Sequence, residues 1–276
     1  MTLEIVMMWA AVSGYAVSAA LFTTGFVFRS RLVSAAAPWA ALAGLLPHGV
    51  AIAERWIRIG HGPYLGFYEV VSSYAFISVA ALVCLGFWRR ELSAIGVVLM
   101  PLSFLMLGAA MFTPKAELEI TGKLASWWLN IHVVFAKLSY GAFIVAFALA
   151  LVFLFRERVT GVLSEMLEKL PGQDTIDDLQ FRFVGIGFVF LGIMIASGAI
   201  WANEAWGRYW AWDPIETWSL ISWVVYALYL HTRLTLGWRG SKSAWFACLA
   251  LPVVVFSLIG VPLVYQSIHG AYLTGY

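Results

Sequence analysis

The sequence predicts an all-α integral membrane protein with about eight transmembrane helices. Of its 276 residues, 62% are hydrophobic and only 12% are charged, whereas an ordinary soluble domain has roughly 25% charged residues. One soluble core could not bury this much apolar surface, so much of the chain must face lipid. The apolar runs are continuous and lack the alternation of a β-barrel. Because backbone in lipid must satisfy its own hydrogen bonds, we expect helices.

Eight apolar runs reach the roughly 20 residues that a membrane span needs. They cover residues 5–28, 34–57, 67–88, 94–112, 127–155, 181–203, 215–236 and 243–266. The first run has no basic residue before Arg29 and is too long for a signal peptide, so we predict a true span. Residues 1–276 are thus predicted to form one transmembrane domain with an outward-facing loop at about 202–216.

The basic residues give an orientation to these spans. The loops on one side carry eleven Lys or Arg residues, and those on the other side carry five. Because the richer side faces the cytoplasm, both termini are predicted on the outer side, together with the loop at 202–216.

Charge and cysteine content exclude two classes of function. The net charge of +2 gives no electrostatic reason to bind nucleic acid. Cys84 and Cys248 lie inside apolar runs without a CxxC partner, so we interpret both as packing residues rather than a redox pair.

Two histidines are predicted at the same depth on the outer side. His132 stands at the outer start of the fifth run, and His269 follows the outer end of the eighth. Two imidazoles at one level suit a flat macrocycle with a central metal such as haem, since histidine is a common axial ligand of haem iron. The alternative is a pair of unrelated histidines at the membrane interface.

The other histidines lie elsewhere. His231 is about 15 residues into the seventh run, roughly 20–24 Å inward, and could equally snorkel to the inner interface. His48, near the middle of the second run, is either a packing residue or a neighbour of His231. His61 lies in a predicted loop, where we expect it to be solvated.

The Trp-rich segment, residues 206–218, reads WGRYWAWDPIETW and lies on the outer side of the predicted topology. Trp206, Trp210, Trp212 and Trp218 offer wide apolar faces for a flat ring, although an aromatic belt at the interface is the alternative. Arg208 could pair with a haem propionate.

The same segment contains a helix start. Asp213 and Pro214 have the pattern of a cap and first helical residue, with Glu216 in the first turn. We therefore expect the two acids to fix the loop, and Asp213 is included among the candidate cofactor-binding residues.

The Trp-rich segment and its continuation to "YLHTR" (229–233) resemble the WWD motif of the CcsA (ResC) family of cytochrome c biogenesis, system II. "GHGPYLGFYEVVSSYAF" (60–76), "WLNIHVVFAKLSYGAFIVA" (128–146) and "SIHGAY" (267–272) are similar to further segments of that family. The resemblance covers roughly residues 60–276, with order and spacing kept.

The resemblance implies a haem-handling subunit of a cytochrome c synthase, or haem lyase. His132 and His269 would bind the iron of one haem b at the outer face, and His231 would bind a second haem inside the membrane. The implied partners are a CcsB (ResB) companion membrane protein that supplies the other inner ligand, thiol-reducing proteins and an apocytochrome c. Haem vinyl groups would be joined there to the cysteines of a CxxCH motif. The implied location is the bacterial inner membrane, or the thylakoid membrane in a plastid.

Two other functions stay open on the residues alone. One is a di-haem electron carrier like a cytochrome b subunit, although only one histidine lies at the inner depth. The other is a transporter without a metal.

Overall fold

The computed structural model describes residues 2–115, 117, 122–158 and 171–265, and all regular structure in these ranges is helical. The α-helices are α1 (Leu3–Val27), α2 (Arg31–Ile59), α3 (Gly66–Trp88), α4 (Gly96–Met111), α5 (Trp127–Arg158), α6 (Gln173–Trp206), α7 (Pro214–Leu234), α8 (Ser241–Val255) and α9 (Val261–Val264). Short 3₁₀ helices cover Arg90–Ile95 and Gly122–Leu124, and a π-turn at Phe256–Gly260 joins α8 to α9.

Within the described residues, seven helical segments are long and apolar enough to cross a membrane. They are Leu3–Val27, Arg31–Ile59, Gly66–Trp88, Leu92–Met111, Trp127–Arg156, Gln173–Trp206 and Ser241–Val264. The predicted all-α membrane class is therefore confirmed. The predicted span 215–236 corresponds to α7, which has 21 residues but is not among the seven. Its Trp, Tyr and Ser residues and the charged residues near its ends lower its mean hydropathy.

Local sequence explains where several helices begin and end. The Ser30 hydroxyl accepts a hydrogen bond from the main-chain N–H of Val33 at the start of α2. Gly60 ends that helix with φ of +79°, a left-handed conformation that glycine adopts without penalty. The loop between α6 and α7 is shorter than the predicted 202–216, because α6 continues to Trp206 and α7 begins at Pro214.

The described chain divides into two compact units. The first contains the described parts of residues 1–63, 67–115 and 151–176. In it, α1 packs against α2 at a glycine crossing, where a Cβ on Gly14 would lie 2.5 Å from the Cα of Gly44. Small residues at this crossing allow the two backbones to approach closely, as is common between membrane helices.

An ionic cluster lies where α1 begins, α2 ends and α3 begins. The Arg55 Nε donates to Glu69 Oε1 at 2.8 Å, and its Nη1 donates to Glu4 Oε1 at 3.3 Å. The Tyr68 hydroxyl and Arg58 Nη2 also donate to Glu4. Arg55, Glu4 and Glu69 are each less than 6% exposed at the side chain, so the charges neutralise one another inside the unit.

Two histidines of this unit, His48 and His61, are buried and hydrogen-bonded within it. His61 is 2% exposed, with its Nδ1 donating to the Gly62 oxygen at 2.8 Å, so the expectation of a solvated His61 is wrong. The ring lies beside the ionic cluster, with Nδ1 3.8 Å from Glu69 Oε2. His48 is fully buried between the Tyr15 hydroxyl and the Ser72 hydroxyl, each 2.9 Å away, which makes it the packing histidine of the two alternatives.

The second unit contains the described parts of residues 64–66, 116–150 and 177–276. Here α5 packs on α6, with the Ser139 hydroxyl donating to the Gly187 oxygen at 2.8 Å. The Phe143 ring stacks on the Tyr226 ring of α7 with centroids 3.6 Å apart. These contacts fix α5, α6 and α7 around the candidate site.

At the far end of α7, Arg233 holds the helix to α6. Its guanidinium donates to Asp177 Oδ1 at 2.8 Å, and the same carboxylate oxygen accepts the main-chain N–H of Gly240 at 3.1 Å. The ion pair is buried, so it anchors the end of α7 and the turn that follows.

Candidate functional site

His132 lies in the second turn of α5, with its ring directed toward α6. Its Nδ1 is 2.8 Å from the main-chain oxygen of Met194. Because a carbonyl oxygen only accepts, Nδ1 carries the proton, and Nε2 is the nitrogen that can ligate a metal. A histidine ligand whose other nitrogen donates to a main-chain carbonyl is a common arrangement in metal sites.

A glycine makes this close approach possible. A Cβ built on Gly198 would lie 2.5 Å from His132 Nδ1, closer than any real side chain permits. Gly198 stands one helical turn after Met194 on α6, so the same face of the helix supplies both the hydrogen-bond acceptor and the space for the ring.

A partly open cleft begins at His132 and encloses a cavity of about 50 Å³. Its walls come from α5, α6, the loop and the start of α7, and they are mainly apolar. They are His132, Met194, Ile195, Gly198, Ala199, Trp201, Tyr209, Trp210, Ile215, Glu216 and Ser219. The cleft thus brings one predicted ligand together with part of the Trp-rich segment.

The loop is closed by a capping box. Asp213 Oδ1 accepts the N–H of Ile215 at 3.0 Å, and Glu216 Oε2 accepts the N–H of Asp213 at 3.2 Å. Pro214 is the first helical residue. The predicted helix start at Asp213 and Pro214 is therefore confirmed, and it occupies the Asp213 carboxylate with a main-chain donor.

The four tryptophans of the Trp-rich segment have different surroundings. Trp210 lines the cleft. Trp206 packs edge-on against Trp201, at 4.9 Å between centroids, in a cluster with Leu65. Trp218 packs edge-on against Phe256 of the π-turn at 4.6 Å.

Trp212 differs from the other three. It is 69% exposed, and its φ of +58° places it in the left-handed region, which costs a residue with a side chain about 1 kcal/mol or more. Arg208 is also exposed. The structure thus puts Trp210 in the cleft and leaves Trp212 and Arg208 at the surface.

The other predicted iron ligands lie away from this cleft or outside the described residues. His269 belongs to residues 266–276, which are outside the described part of the chain. His231 is exposed on α7, and its Nδ1 is 3.3 Å from the Thr235 hydroxyl.

Several cleft residues were not among the sequence-based candidates. Trp201, Tyr209, Met194 and Gly198 line the cleft without having been named as site residues. Trp201 and Tyr209 are aromatic residues within five positions of Trp206, so the signal that selected the Trp-rich segment could have included them. The roles of Met194 and Gly198 depend on how α5 and α6 pack.

The chain is similar to proteins of a known family. Residues 64–269 match the family described as "Cytochrome C assembly protein", a range that includes His132, the Trp-rich segment and His269. The chain belongs to this family. The resemblance to the CcsA branch is also confirmed, because curated relatives of that description are more than 30% identical over most of the chain.

Two relatives of this cytochrome c assembly protein illustrate the match. The "Cytochrome c biogenesis protein CcsA" of Chlamydomonas reinhardtii is 38% identical over 226 residues, which are 78% of this chain and 62% of that relative. The protein of the same description from Gloeothece citriformis (strain PCC 7424) is 32% identical over 309 aligned positions, covering 90% of this chain and 93% of the relative. The chain thus spans less than two thirds of the first relative and nearly all of the second.

A solved structure shares the fold. The "Cytochrome c Heme Lyase CcmF" superposes with a TM-score of 0.70 over 98% of this chain and 48% of that protein, at 18% identity. The cytochrome c assembly protein described here therefore has a multi-pass helical fold that is also found in about half of that larger protein.

Proposed function

We propose that this chain is a haem-handling subunit of a cytochrome c synthase that binds haem in the cleft beside His132. One observation carries the proposal: the Nδ1 of His132 donates to the Met194 oxygen beside a cleft with aromatic walls, so Nε2 is the nitrogen that would ligate iron. An imidazole held in one tautomer beside flat apolar rings fits haem iron and the haem plane.

In this proposal, different residues at the cleft would contact different parts of the haem. His132 would ligate the iron, and Trp210 and Trp201 would contact the faces or edge of the macrocycle. Arg208 lies at the surface, where its guanidinium would pair with a propionate that points out of the cleft. Trp206 and Trp218 would act by supporting the walls through Trp201 and Phe256.

The second axial ligand of this outer haem b is proposed to be His269. Two histidine ligands would protect the iron from oxidants until the haem vinyl groups react. The reaction adds a cysteine S–H across a vinyl C=C: the sulfur bonds to one carbon and the proton goes to the other. The apocytochrome c supplies these thiols in its CxxCH motif, and thiol-reducing proteins keep them reduced.

A second haem inside the membrane is proposed at His231, together with a CcsB (ResB)-like companion protein. His231 belongs to a stripe of exposed residues on α7 with alternating spacing of three and four: Ile221, Val224, Leu228, His231 and Thr235. Such spacing is typical of a seam between packed helices, and an imidazole facing lipid is costly. Both facts support a companion helix that covers the stripe and supplies the other ligand.

The membrane is proposed to be the bacterial inner membrane or the thylakoid membrane, with the cleft and both termini on the outer side. The excess of basic residues in the opposite loops supports this orientation.

The test is the absorbance spectrum of the purified full-length chain, with and without a co-expressed companion, beside a cellular assay of c-type cytochrome maturation. We expect a Soret band in the wild type, and a weaker outer-site spectrum with loss of maturation in His132→Ala and His269→Ala. Absence of a Soret band would overturn the haem proposal and leave a metal-free transporter as the alternative. Full maturation in either variant would remove that histidine from the ligand assignment, and haem binding by a chain that has no role in maturation would favour a di-haem electron carrier.

A further inference from the structure

We propose that Glu216 is a positioning residue of the cleft: its carboxylate holds the loop in the conformation that turns Trp210 into the cleft and Trp212 out of it. This inference rests on the proposed function for its consequence on haem, but its structural part can be tested without haem.

One carboxylate oxygen of Glu216 accepts hydrogen bonds from two main-chain N–H groups of the loop. Glu216 Oε2 accepts the main-chain N–H of Ala211 at 2.8 Å and that of Asp213 at 3.2 Å. These two N–H groups flank Trp212 and converge on one oxygen. The hydrogen bond from Asp213 belongs to an ordinary capping box. The hydrogen bond from Ala211 lies two residues further into the loop and is additional to that motif.

The convergence explains the unusual backbone of Trp212. In an extended chain the N–H groups of residues i and i+2 point to the same side but lie about 7 Å apart. Both can bond to one oxygen only if the backbone between them turns, and a left-handed residue at position 212 supplies such a turn. Trp212 has φ of +58°, which a residue with a Cβ adopts only when its surroundings impose it. The Glu216 carboxylate is the group that accepts the N–H groups on both sides of this residue.

The backbone turn separates two tryptophans. In an extended chain, residues 210 and 212 would point to the same side. Here Trp210 lines the cleft and Trp212 is 69% exposed, with the two rings at 87° and their centroids 5.8 Å apart. The left-handed turn therefore decides that one tryptophan, rather than both, faces the cleft.

The carboxylate itself also reaches the cleft wall. Its position in the first turn of α7 is favourable for a negative charge, and its hydrogen bonds go to main-chain donors of the loop. We assign its contribution to these two hydrogen bonds, and not to its charge acting on the bound iron or propionates.

Replacing Glu216 with glutamine or with alanine distinguishes its hydrogen bonds to the loop from the effect of its charge. Both loop N–H groups bond to the same oxygen, so the amide oxygen of Glu216→Gln can accept both, while Glu216→Ala can accept neither. Asp213→Ala is the matched control, because it removes the cap of Ile215 N and leaves the Ala211 bond in place.

Two measurements on the full-length chain complete the test. In haem-free protein, we expect faster hydrogen exchange at the Ala211 and Asp213 amides in Glu216→Ala, by about tenfold or more, and near wild-type exchange in Glu216→Gln. In haem-loaded protein with its companion, we expect Glu216→Ala to retain about a tenth of the haem with a shifted Soret band, and Glu216→Gln to retain more than about half. Asp213→Ala should lie between these two variants.

The outcomes separate the two proposals. If Glu216→Gln and Glu216→Ala lose haem equally, the charge of Glu216 matters and the positioning role is overturned. Wild-type amide exchange together with wild-type haem retention in Glu216→Ala would overturn it as well. Equal haem loss in Asp213→Ala and Glu216→Ala would reduce the effect to helix capping and also overturn it. If the wild type binds no haem while the exchange results hold, the proposed function fails and the control of the loop by Glu216 stands. If Glu216→Ala does not fold, Glu216→Gln still decides between charge and hydrogen bonding.

Discussion

The imidazole of His132 on α5 lies 2.8 Å from the main-chain oxygen of Met194 on α6. The candidate iron ligand is therefore oriented by backbone, which no side-chain substitution can remove directly. Its position depends instead on how closely the two helices approach, and that approach is set at Gly198.

Gly198→Ala tests this dependence. The added Cβ would meet His132 Nδ1 at 2.5 Å, so the ring must move and its bond to Met194 must lengthen. We expect haem retention to fall by about tenfold and the Soret band to shift, since loss of a group that orients a metal ligand typically costs 10–100-fold in affinity.

Gly185→Ala is the matched control on the same helix, because nothing lies within 4 Å of its Cβ position. It should keep the wild-type spectrum and gain about 0.5–1 kcal/mol of helix stability. Equal spectra for the two alanine variants would show that the ring does not depend on Gly198.

Arg55→Met should strongly destabilise the first unit. It leaves the carboxylates of Glu4 and Glu69, 3% and 2% exposed, without their shared guanidinium. Breaking a buried ion pair costs about 3–5 kcal/mol, which thermal unfolding in detergent can measure.

Arg58→Met is the control for this cluster. The Arg58 side chain is 32% exposed, so water compensates part of the loss and we expect about 1 kcal/mol or less. Adding Glu4→Gln and Glu69→Gln to Arg55→Met should recover part of the stability. Similar losses for both arginines would contradict a central role of Arg55.

Tyr15→Phe should cost about 1–3 kcal/mol of unfolding free energy, because it removes a hydrogen-bond partner from the buried imidazole of His48. Ser103→Ala is the comparison: its hydroxyl is buried and has no hydrogen-bond partner within the described part of the chain. That change should be neutral or slightly stabilising. A larger loss for Ser103→Ala than for Tyr15→Phe would refute this account of His48.

His231→Ala should behave differently in the isolated chain and in the complex. Because the side chain is exposed on α7, the unfolding free energy of the isolated chain should change by less than about 0.5 kcal/mol. In the proposed complex with a companion, we expect loss of the proposed membrane-embedded haem from the absorbance spectrum. A large loss of stability without the companion would show that His231 packs inside its own chain.

The helices were predictable because lipid imposes long continuous apolar runs, and the start of α7 was predictable because a capping box is local. Asp213, Pro214 and Glu216 lie within four positions of one another, so sequence spacing alone specifies their contacts. The seventh span was also predictable: the run at 215–236 identified α7 although its Trp, Tyr and Ser residues lower its mean hydropathy.

Contacts between helices could not be predicted from one sequence. Nothing in the spacing says that Arg55 meets Glu69, that His61 is covered, or that Gly198 leaves space for His132. Each depends on how separate parts of the chain pack against one another. The Trp-rich segment shows the same limit: its residues identify the site, but only the left-handed backbone at Trp212 separates the tryptophan in the cleft from the one at the surface.

The ionic cluster of the first unit bears on the order in which that unit is assembled. Glu4 precedes Arg55 by 51 residues, and Glu69 follows Arg55 by 14. During synthesis α1 therefore carries an uncompensated acid until α2 has been made, and Arg55 lacks one of its two carboxylates until α3 begins. Because the buried charges neutralise one another only when all three residues are present, this end of the first unit can close only after α3 has been made.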